Sequence, residues 1–379
     1  MGAFFSIFFP APKPALIKNP NLFRVIFPIY FFFPRDIIPS LLLLLFQEPC
    51  DHDTLLELRL PMPSLATTRA SNKESSSLLP SYRHVSVWTP SDGHIEGIVV
   101  IVHGIHEHGY KDTVYCTLHT YPLTLHCLLP PIIIHDLPTL QSLYLRMRYH
   151  NVAHAFTAKK FIVFAMDHIG HGRSDRAAGG CPAGFLPDYH ILIRDLLALC
   201  AHIRTLHPSL PLSLLAHSMG TLVTINALPQ LMAAPHLRIS SVVFSGAALY
   251  QGPSSASPFG IRLLYPLSQS SSAVTIAGII AWIDPKGPGA PLDFAALTNN
   301  KEVLENLFRD PYQITAPILN KTAFEFLKMC DEAKKRVASI NIPFLCMHGE
   351  DDDICLSRSS VSIFENAGTL TNIVQLMQL

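Results

Sequence analysis

The chain has 379 residues, of which 49% are hydrophobic and 15% charged. This length suits one α/β unit with insertions, and the composition provides for a sizeable core and argues against wholesale disorder. Lys plus Arg and Asp plus Glu number 28 each, so the chain lacks the basic excess of a nucleic-acid binder, and we expect neutral or amphipathic partners and no nucleic acid.

The first 80 residues are rich in proline and in aromatic and leucine clusters, and we interpret residues 1–80 as an irregular apolar extension that ends in a linker. Residues 25–46 are apolar enough to raise the hypothesis of a membrane span. Arg35, Asp36 and three prolines interrupt that stretch, and a charge at the centre of a membrane helix is costly. We therefore disfavour a transmembrane segment and expect a cytoplasmic or membrane-associated protein.

From residue 81 onward, short apolar runs alternate with helical patterns. Runs at 98–102, 161–166, 212–216, 242–244 and 344–347 read as buried strands. Such alternation predicts a mostly parallel sheet that is covered on both faces, with its chemistry at the carboxyl ends of the strands. We accordingly assign residues 81–379 to one α/β domain.

Helices are predicted at three places between these strands. Apolar residues recur at helical spacing over 193–203, with Pro208 as a stop signal, and residues 149–160 and 221–228 also fit helices. Residues 111–148 show no sustained period and separate a strand from its helix, so we interpret them as an atypical insertion.

The chain has eight cysteines and no Cys-x-x-Cys pair, which argues against a zinc ribbon or a thioredoxin-type redox site. Cys200 and Cys346 lie in apolar runs, and we expect them in the core. This cysteine usage favours a reducing compartment.

Residues 216–220 read Ala-His-Ser-Met-Gly and lie between a buried strand and a helix. That context predicts a nucleophile elbow, a sharp turn that lifts the hydroxyl of Ser218 above the sheet edge. Gly220 supplies the small residue that the turn needs, and Ala216 stands where a glycine is usual. Ser218 is therefore the candidate nucleophile.

Residues 103–105, His-Gly-Ile, end the first strong strand. The backbone N–H groups of Ile105 and Met219 would suit an oxyanion hole. We expect the His103 side chain to be structural. His106 and His108 lack the His-Glu-x-x-His spacing, so we predict no metal site and no cofactor.

The segments at 103–109 (HGIHEHG), 166–174 (MDHIGHGRS) and 217–220 (HSMG) occur in the order seen in monoacylglycerol lipases. The chain thus resembles the monoacylglycerol lipase and lysophospholipase branch of the α/β-hydrolase superfamily, with its serine aminopeptidase-like domain. The resemblance implies the α/β-hydrolase fold, a helical cap over about 250–335, and loop roles rather than metal binding for His168 and His171. It also implies an acid at Asp352, counted from Gly349, with Asp351 and Asp353 as competitors.

In this fold the base histidine follows the acid, but no histidine follows His348 in the sequence. Residues 369–379 do not resemble the family's closing strand, histidine loop and helix, so we expect a truncated C-terminus, an exposed sheet edge and weak ester hydrolysis. His217, His103 and His106 are poor substitutes by position.

The predicted function is hydrolysis of an acyl ester, most simply a monoacylglycerol or lysophospholipid, through an acyl-enzyme. The alternatives are a catalytically dead homologue that binds acyl ligands, and a hydrolase of another small acyl substrate of the esterase or aminopeptidase type. The expected partners are a lipid or small acyl ester and, peripherally, a membrane surface.

Overall fold

The computed structural model describes residues 54–62, 81–109, 149–253, 271–298, 300–368 and 374–378. Within these ranges one sheet contains eight strands, in the spatial order β1-β2-β4-β3-β5-β6-β7-β8. The strands are β1 (Thr54–Met62), β2 (Ser81–Thr89), β3 (Gly97–Val102), β4 (Phe161–Met166), β5 (Leu212–His217), β6 (Ser241–Ser245), β7 (Phe344–His348) and β8 (Val374–Gln378). β2 pairs antiparallel with β1 and β4, and the other neighbours are parallel.

Seven α-helices lie in the described ranges. They are α1 (His150–Thr157), α2 (His190–Leu206), α3 (Met219–Ala233), α4 (Ser271–Ile283), α5 (Lys301–Arg309), α6 (Asn320–Arg336) and α7 (Arg358–Asn366). The five predicted strands and the mostly parallel sheet are confirmed. The helix predicted over 221–228 is longer than expected and contains Pro229, because burial of its residues against the sheet outweighs the cost of one proline.

The central strands are buried on both faces. All six residues of β3 and all six of β4 are buried. Ile98 and Val100 lie in a large core together with residues of α2 and α3, whereas Val99 and Ile101 lie in a smaller core with residues of α1. Because successive side chains of a strand point to opposite faces, a continuous apolar run is what such a two-sided burial requires.

The structure extends the sheet into the stretch predicted to be an irregular extension. β1 lies within residues 1–80 and pairs with β2 over nine residues, from Thr54↔Thr89 to Met62↔Ser81. Its even-numbered positions from Leu56 onward are apolar, and Leu58, Leu60 and Met62 pack into the large core. This period of two lies in a stretch that is otherwise rich in prolines, and the prediction of an irregular segment is wrong at β1.

The expectation of an open edge at β7 was also wrong. β8 pairs in parallel with β7, from Phe344↔Val374 to His348↔Gln378. The backbone of β8 thereby pairs with the N–H and C=O groups that would otherwise lie open on β7. Pairing with β7 needs only five extended residues in this segment and no likeness to the family's closing strand.

Several predictions concern residues outside the described ranges. They include the membrane-span hypothesis for 25–46 and the insertion at 111–148. Among the described residues, no helix combines the length and apolar character that a bilayer span requires.

Candidate active site

Ser218 occupies the turn between β5 and α3 in a strained backbone conformation, with φ 50° and ψ −119°. Its N–H donates to the carbonyl of Ser245 at 3.0 Å, and its own carbonyl accepts from the N–H and hydroxyl of Thr221 at 2.9 and 2.6 Å. A non-glycine residue with positive φ is held only where its surroundings enforce it. The strand–turn–helix geometry is that of a nucleophile elbow.

Position 220 requires glycine because the first turn of α3 crosses closely over the end of β3. A Cβ atom placed on Gly220 would lie 2.0 Å from the carbonyl oxygen of Val102 in β3. By contrast, Ala216 is fully buried in the large core and pairs with Val102 and Phe244. The methyl group of Ala216 therefore fits, whereas one at Gly220 would not.

We predict that Gly220→Ala destabilises the fold by about 2 kcal/mol or more, because the added methyl group forces α3 away from β3. Denaturant unfolding measures this loss. Gly349→Ala is the matched control, since its added Cβ would make an ordinary 3.9 Å contact with Asp352. Equal denaturant midpoints for Gly220→Ala and the parent chain would contradict the claim that the crossing leaves no room for a side chain.

The proposed oxyanion groups flank Ser218. A Cβ on Gly104 would lie 3.1 Å from Cβ of Ser218, so the backbone that leads into Ile105 lies directly against Ser218. Met219 is the first residue of α3, and the N–H groups of a helix's first turn have no partner within the helix. Both positions suit the predicted donors, and their role stays a prediction.

The loop after β7 carries Asp352. Its Oδ1 accepts from the N–H groups of Ile354 and Cys355 at 3.0 and 2.9 Å, and its Oδ2 lies 3.5 Å from Nε2 of His348. Burial raises the pKa of Asp352, but the contact with His348 and the two backbone donors outweigh it, so the net pKa is lowered. Sγ of Cys355 lies 3.8 Å from Oγ of Ser218, so the loop that carries Asp352 lies beside Ser218.

The two competitors of Asp352 lie in the same loop. Asp351 is exposed, and the carbonyl of Asp353 packs against Gly252, where a Cβ would lie 2.1 Å away. The backbone donors of the loop thus converge on the carboxylate of Asp352. These contacts favour Asp352 over Asp351 and Asp353, and its role as the acid stays a prediction.

No described histidine has a ring nitrogen within hydrogen-bonding distance of Oγ of Ser218. Nε2 of His348 donates to the carbonyl of Cys355 at 2.7 Å, and Nδ1 lies 2.7 Å from Oγ of Ser360. The ring of His217 lies between Ser245 and Glu107, with its nitrogens 3.4 and 3.7 Å from their oxygens. A base for Ser218 is therefore not assigned.

Four histidines form a buried cluster beneath the site: His103, His106, His168 and His171. The ring of His103 donates from Nδ1 to the carbonyl of Gly104 and accepts at Nε2 from the N–H of His168, which agrees with the structural role predicted for it. Burial lowers the pKa of all four, to about 3 for His106 and His168. The cluster is thus neutral in the folded protein at neutral pH.

We predict that stability falls as the pH drops below about 6.5, because these histidines take up protons only after unfolding. Each contributes up to about 1.4 kcal/mol per pH unit until the pH approaches its folded pKa. Denaturant unfolding at pH 7, 6 and 5 measures the slope, and His168→Asn should reduce it. His94→Gln, at a side chain that is 67% exposed, is the control; an unchanged slope in His168→Asn would contradict the assignment.

Asp167 fixes the turn that carries His168 and His171. Its carboxylate accepts from the N–H groups of Gly109 and Arg173 at 2.6 and 2.8 Å. A Cβ on Gly172 would lie 2.1 Å from Oδ2 of Asp167, and φ is +51° there, so only glycine fits. The carboxylate of Asp167 therefore holds the segment 166–174 against the loop after β3.

His106 and His108 connect the loop after β3 to the region predicted to be the cap. Nε2 of His108 lies 2.8 Å from Oδ2 of Asp310, and both side chains are buried. The carbonyl of His106 accepts from Nε2 of Gln313 at 2.7 Å and from the N–H of Ile314 at 3.3 Å. Among the described residues, no group of three or more His, Cys, Asp or Glu is arranged to hold a metal ion.

Sequence reasoning missed three features of this site. They are the buried carboxylate of Glu107, the contact of Cys355 with Ser218, and the partnership of Asp310 with His108. Glu107 follows Gly104 by three residues, and that spacing was the available signal for a side chain that returns to the loop backbone. The other two join residues more than a hundred positions apart, which a single sequence does not reveal.

Residues 146–377 match the family described as "Serine aminopeptidase, S33". The chain belongs to this family. It is 27% identical to mouse monoglyceride lipase over 58% of this chain and 65% of the relative, just under two thirds of the relative's length. It is 26% identical to the monoacylglycerol lipase of Mycolicibacterium smegmatis over 70% of this chain and 73% of the relative.

Two solved structures share the fold of this chain. The monoacylglycerol lipase of Paleococcus ferrophilus superposes with a TM-score of 0.53 at 20% identity, covering 79% of this chain and 89% of the other. A soluble variant of monoglyceride lipase from Saccharomyces cerevisiae, in complex with a substrate analog, gives 0.54 at 16% identity, covering 84% and 89%. The α/β-hydrolase fold and the resemblance to the monoacylglycerol lipase branch are confirmed.

Proposed function

We propose that this S33 protein hydrolyses acyl esters through an acyl-enzyme on Ser218. Oγ of Ser218 attacks the ester carbonyl carbon, and the carbonyl oxygen becomes an oxyanion that accepts hydrogen bonds from the N–H groups of Ile105 and Met219. The alcohol leaves as the tetrahedral intermediate collapses, and water then hydrolyses the acyl-serine. The strained elbow of Ser218, with Gly104 and Met219 on its flanks, is the observation that carries the proposal.

The acid in this scheme is Asp352, whose lowered pKa keeps it ionised at neutral pH. Such a carboxylate orients a histidine and stabilises the imidazolium that forms during attack. The histidine that would remove the proton of Ser218 is not assigned. Loss of one member of a catalytic triad costs on the order of 10⁴-fold in rate, so we propose that the 379-residue polypeptide turns esters over slowly.

The proposed substrates are a monoacylglycerol or a lysophospholipid. Two named relatives are monoglyceride or monoacylglycerol lipases. The apolar helix α4 and the amphipathic helices α5 and α6 lie between β6 and β7 in the chain, where a cap would shape an acyl pocket. A second candidate is an acyl-binding protein without turnover. The engaged ring nitrogens of His348 and the position of His217 favour it.

Covalent labelling tests whether Ser218 reacts as a nucleophile. We predict that a fluorophosphonate probe attaches to Ser218 of the full chain, slowly, and that Ser218→Ala abolishes the adduct, as peptide mass spectrometry would detect. Ser209→Ala, at an exposed serine, should leave labelling unchanged. Robust monoacylglycerol turnover that Ser218→Ala abolishes would instead show that a base is present.

We also propose that α4 contacts membrane surfaces peripherally. Ile279, Trp282 and Ile283 are 55%, 84% and 69% exposed on this helix, while α4 also packs on α6. Exposed apolar side chains on one helix are typical of a protein that rests on a lipid interface, where a Trp ring is favoured. This arrangement would bring the proposed acyl pocket close to its substrates.

We predict that Trp282→Ser combined with Ile283→Ser lowers binding to phosphatidylcholine vesicles by about tenfold, since two exposed apolar side chains leave the interface. Co-sedimentation measures the bound fraction. Leu206→Ser removes a similarly exposed leucine, 52% exposed at the end of α2, and serves as the control. Equal binding by the α4 variant and the control would contradict the proposed contact.

A further inference from the structure

Glu107 is a buried acidic residue that the proposed reaction does not use. It is 6% exposed. Its Oε2 accepts from the N–H of Gly104 at 2.9 Å and from the hydroxyl of Tyr149 at 2.7 Å, and its Oε1 lies 3.7 Å from Nε2 of His217. One carboxylate thus contacts the loop after β3, the start of α1 and the elbow.

This carboxylate and the nucleophile lie against the same short piece of backbone. A Cβ on Gly104 would lie 3.0 Å from Oε2 of Glu107 and 3.1 Å from Cβ of Ser218. The next residue is Ile105, whose N–H is one of the two proposed oxyanion donors. A shift of the Gly104 peptide would therefore move that donor relative to Ser218.

The loop after β3 needs stabilising contacts because one of its residues has an unfavourable backbone conformation. His106 has φ 63° without being glycine, and such a residue persists only where neighbouring contacts enforce it. The bond from the Gly104 N–H to Glu107 closes the loop across three residues. Hydrogen bonds to an ionised carboxylate are shorter and about twice as strong as neutral ones, and burial without them would be costly.

We propose that Glu107 is a positioning residue that holds the Gly104–Ile105 backbone in the geometry of the oxyanion site, with Tyr149 fixing the orientation of its carboxylate. The role rests on the proposed function. It is geometric rather than electrostatic, because a negative charge beside a developing oxyanion opposes the reaction. Glu107→Gln, which keeps an acceptor for both donors and removes the charge, should therefore preserve the site.

Two measurements on the full chain test this role. The first is the rate constant for fluorophosphonate labelling of Ser218, which needs no deacylation. We expect Glu107→Leu to label about 100-fold more slowly, the loss that a misplacement of about 1 Å causes, and Glu107→Gln to label at least as fast as the parent. Glu325→Gln is the control, since it changes a cap carboxylate that is 1% exposed and contacts Lys321 and Lys328.

The second measurement is amide hydrogen exchange at Gly104 and Ile105. We expect faster exchange there in Glu107→Leu, with unchanged exchange in β5 and β6, and parental exchange in Glu107→Gln. Tyr149→Phe should give a smaller change in the same direction. It also serves as the test variant if Glu107→Leu does not fold, because it removes the hydroxyl that contacts Glu107 and keeps the aromatic ring.

Each outcome decides one of the two proposals. A parent chain that is not labelled at Ser218 overturns the proposed function, and exchange at Gly104 then decides the positioning role by itself. The positioning role is overturned if Glu107→Leu keeps the parental exchange rate at Gly104 and Ile105 and, where the parent is labelled, the parental labelling rate. If Glu107→Leu does not fold, the same result in Tyr149→Phe overturns the role. Equal losses in Glu107→Gln and Glu107→Leu would also overturn it, since they would show that charge matters rather than geometry.

Discussion

The site depends on one close approach, where the first turn of α3 crosses the end of β3 over the carbonyl of Val102. The 2.0 Å separation that a Cβ on Gly220 would have from that oxygen leaves no room for a side chain. The crossing places Ser218 above the sheet edge with its strained φ, and hydrogen bonds to Ser245 and from Thr221 hold it there. The positions of the proposed nucleophile and of the proposed oxyanion donors are thus determined by packing of the backbone rather than by side-chain chemistry.

Around this crossing, buried polar groups fix the loops that approach Ser218. Asp167 holds the turn that carries His168 and His171, Glu107 holds the loop after β3, and Asp310 joins that loop to the region predicted to be the cap through His108. Buried polar groups carry a large desolvation cost unless they are bonded. Such groups at a sheet edge therefore restrain several loops at once, which is what a preformed oxyanion site requires.

Much of this architecture could be predicted from the sequence, because the apolar runs of β3 to β7 are buried on two faces and stand out from their surroundings. β1 could not be predicted readily because its alternating leucines lie among prolines. β8 could not be predicted from the resemblance because its sequence is unlike the family's closing strand, although it pairs with the edge of β7. The elbow at Ser218 was predictable because strand, turn and helix are adjacent in the chain. The contacts of Glu107 with Tyr149 and of Ser218 with Cys355 were not, since they join segments 42 and 137 residues apart.

The central claim is that Ser218, Ile105 and Met219 form one acyl-transfer site. A crystal structure of the chain after reaction with a fluorophosphonate tests it most directly, because the phosphonyl group imitates the tetrahedral intermediate. Our account predicts phosphorus bonded to Oγ of Ser218 and the phosphonyl oxygen within hydrogen-bonding distance of the N–H groups of Ile105 and Met219. Phosphorus on another side chain, or a phosphonyl oxygen directed away from both N–H groups, would contradict it.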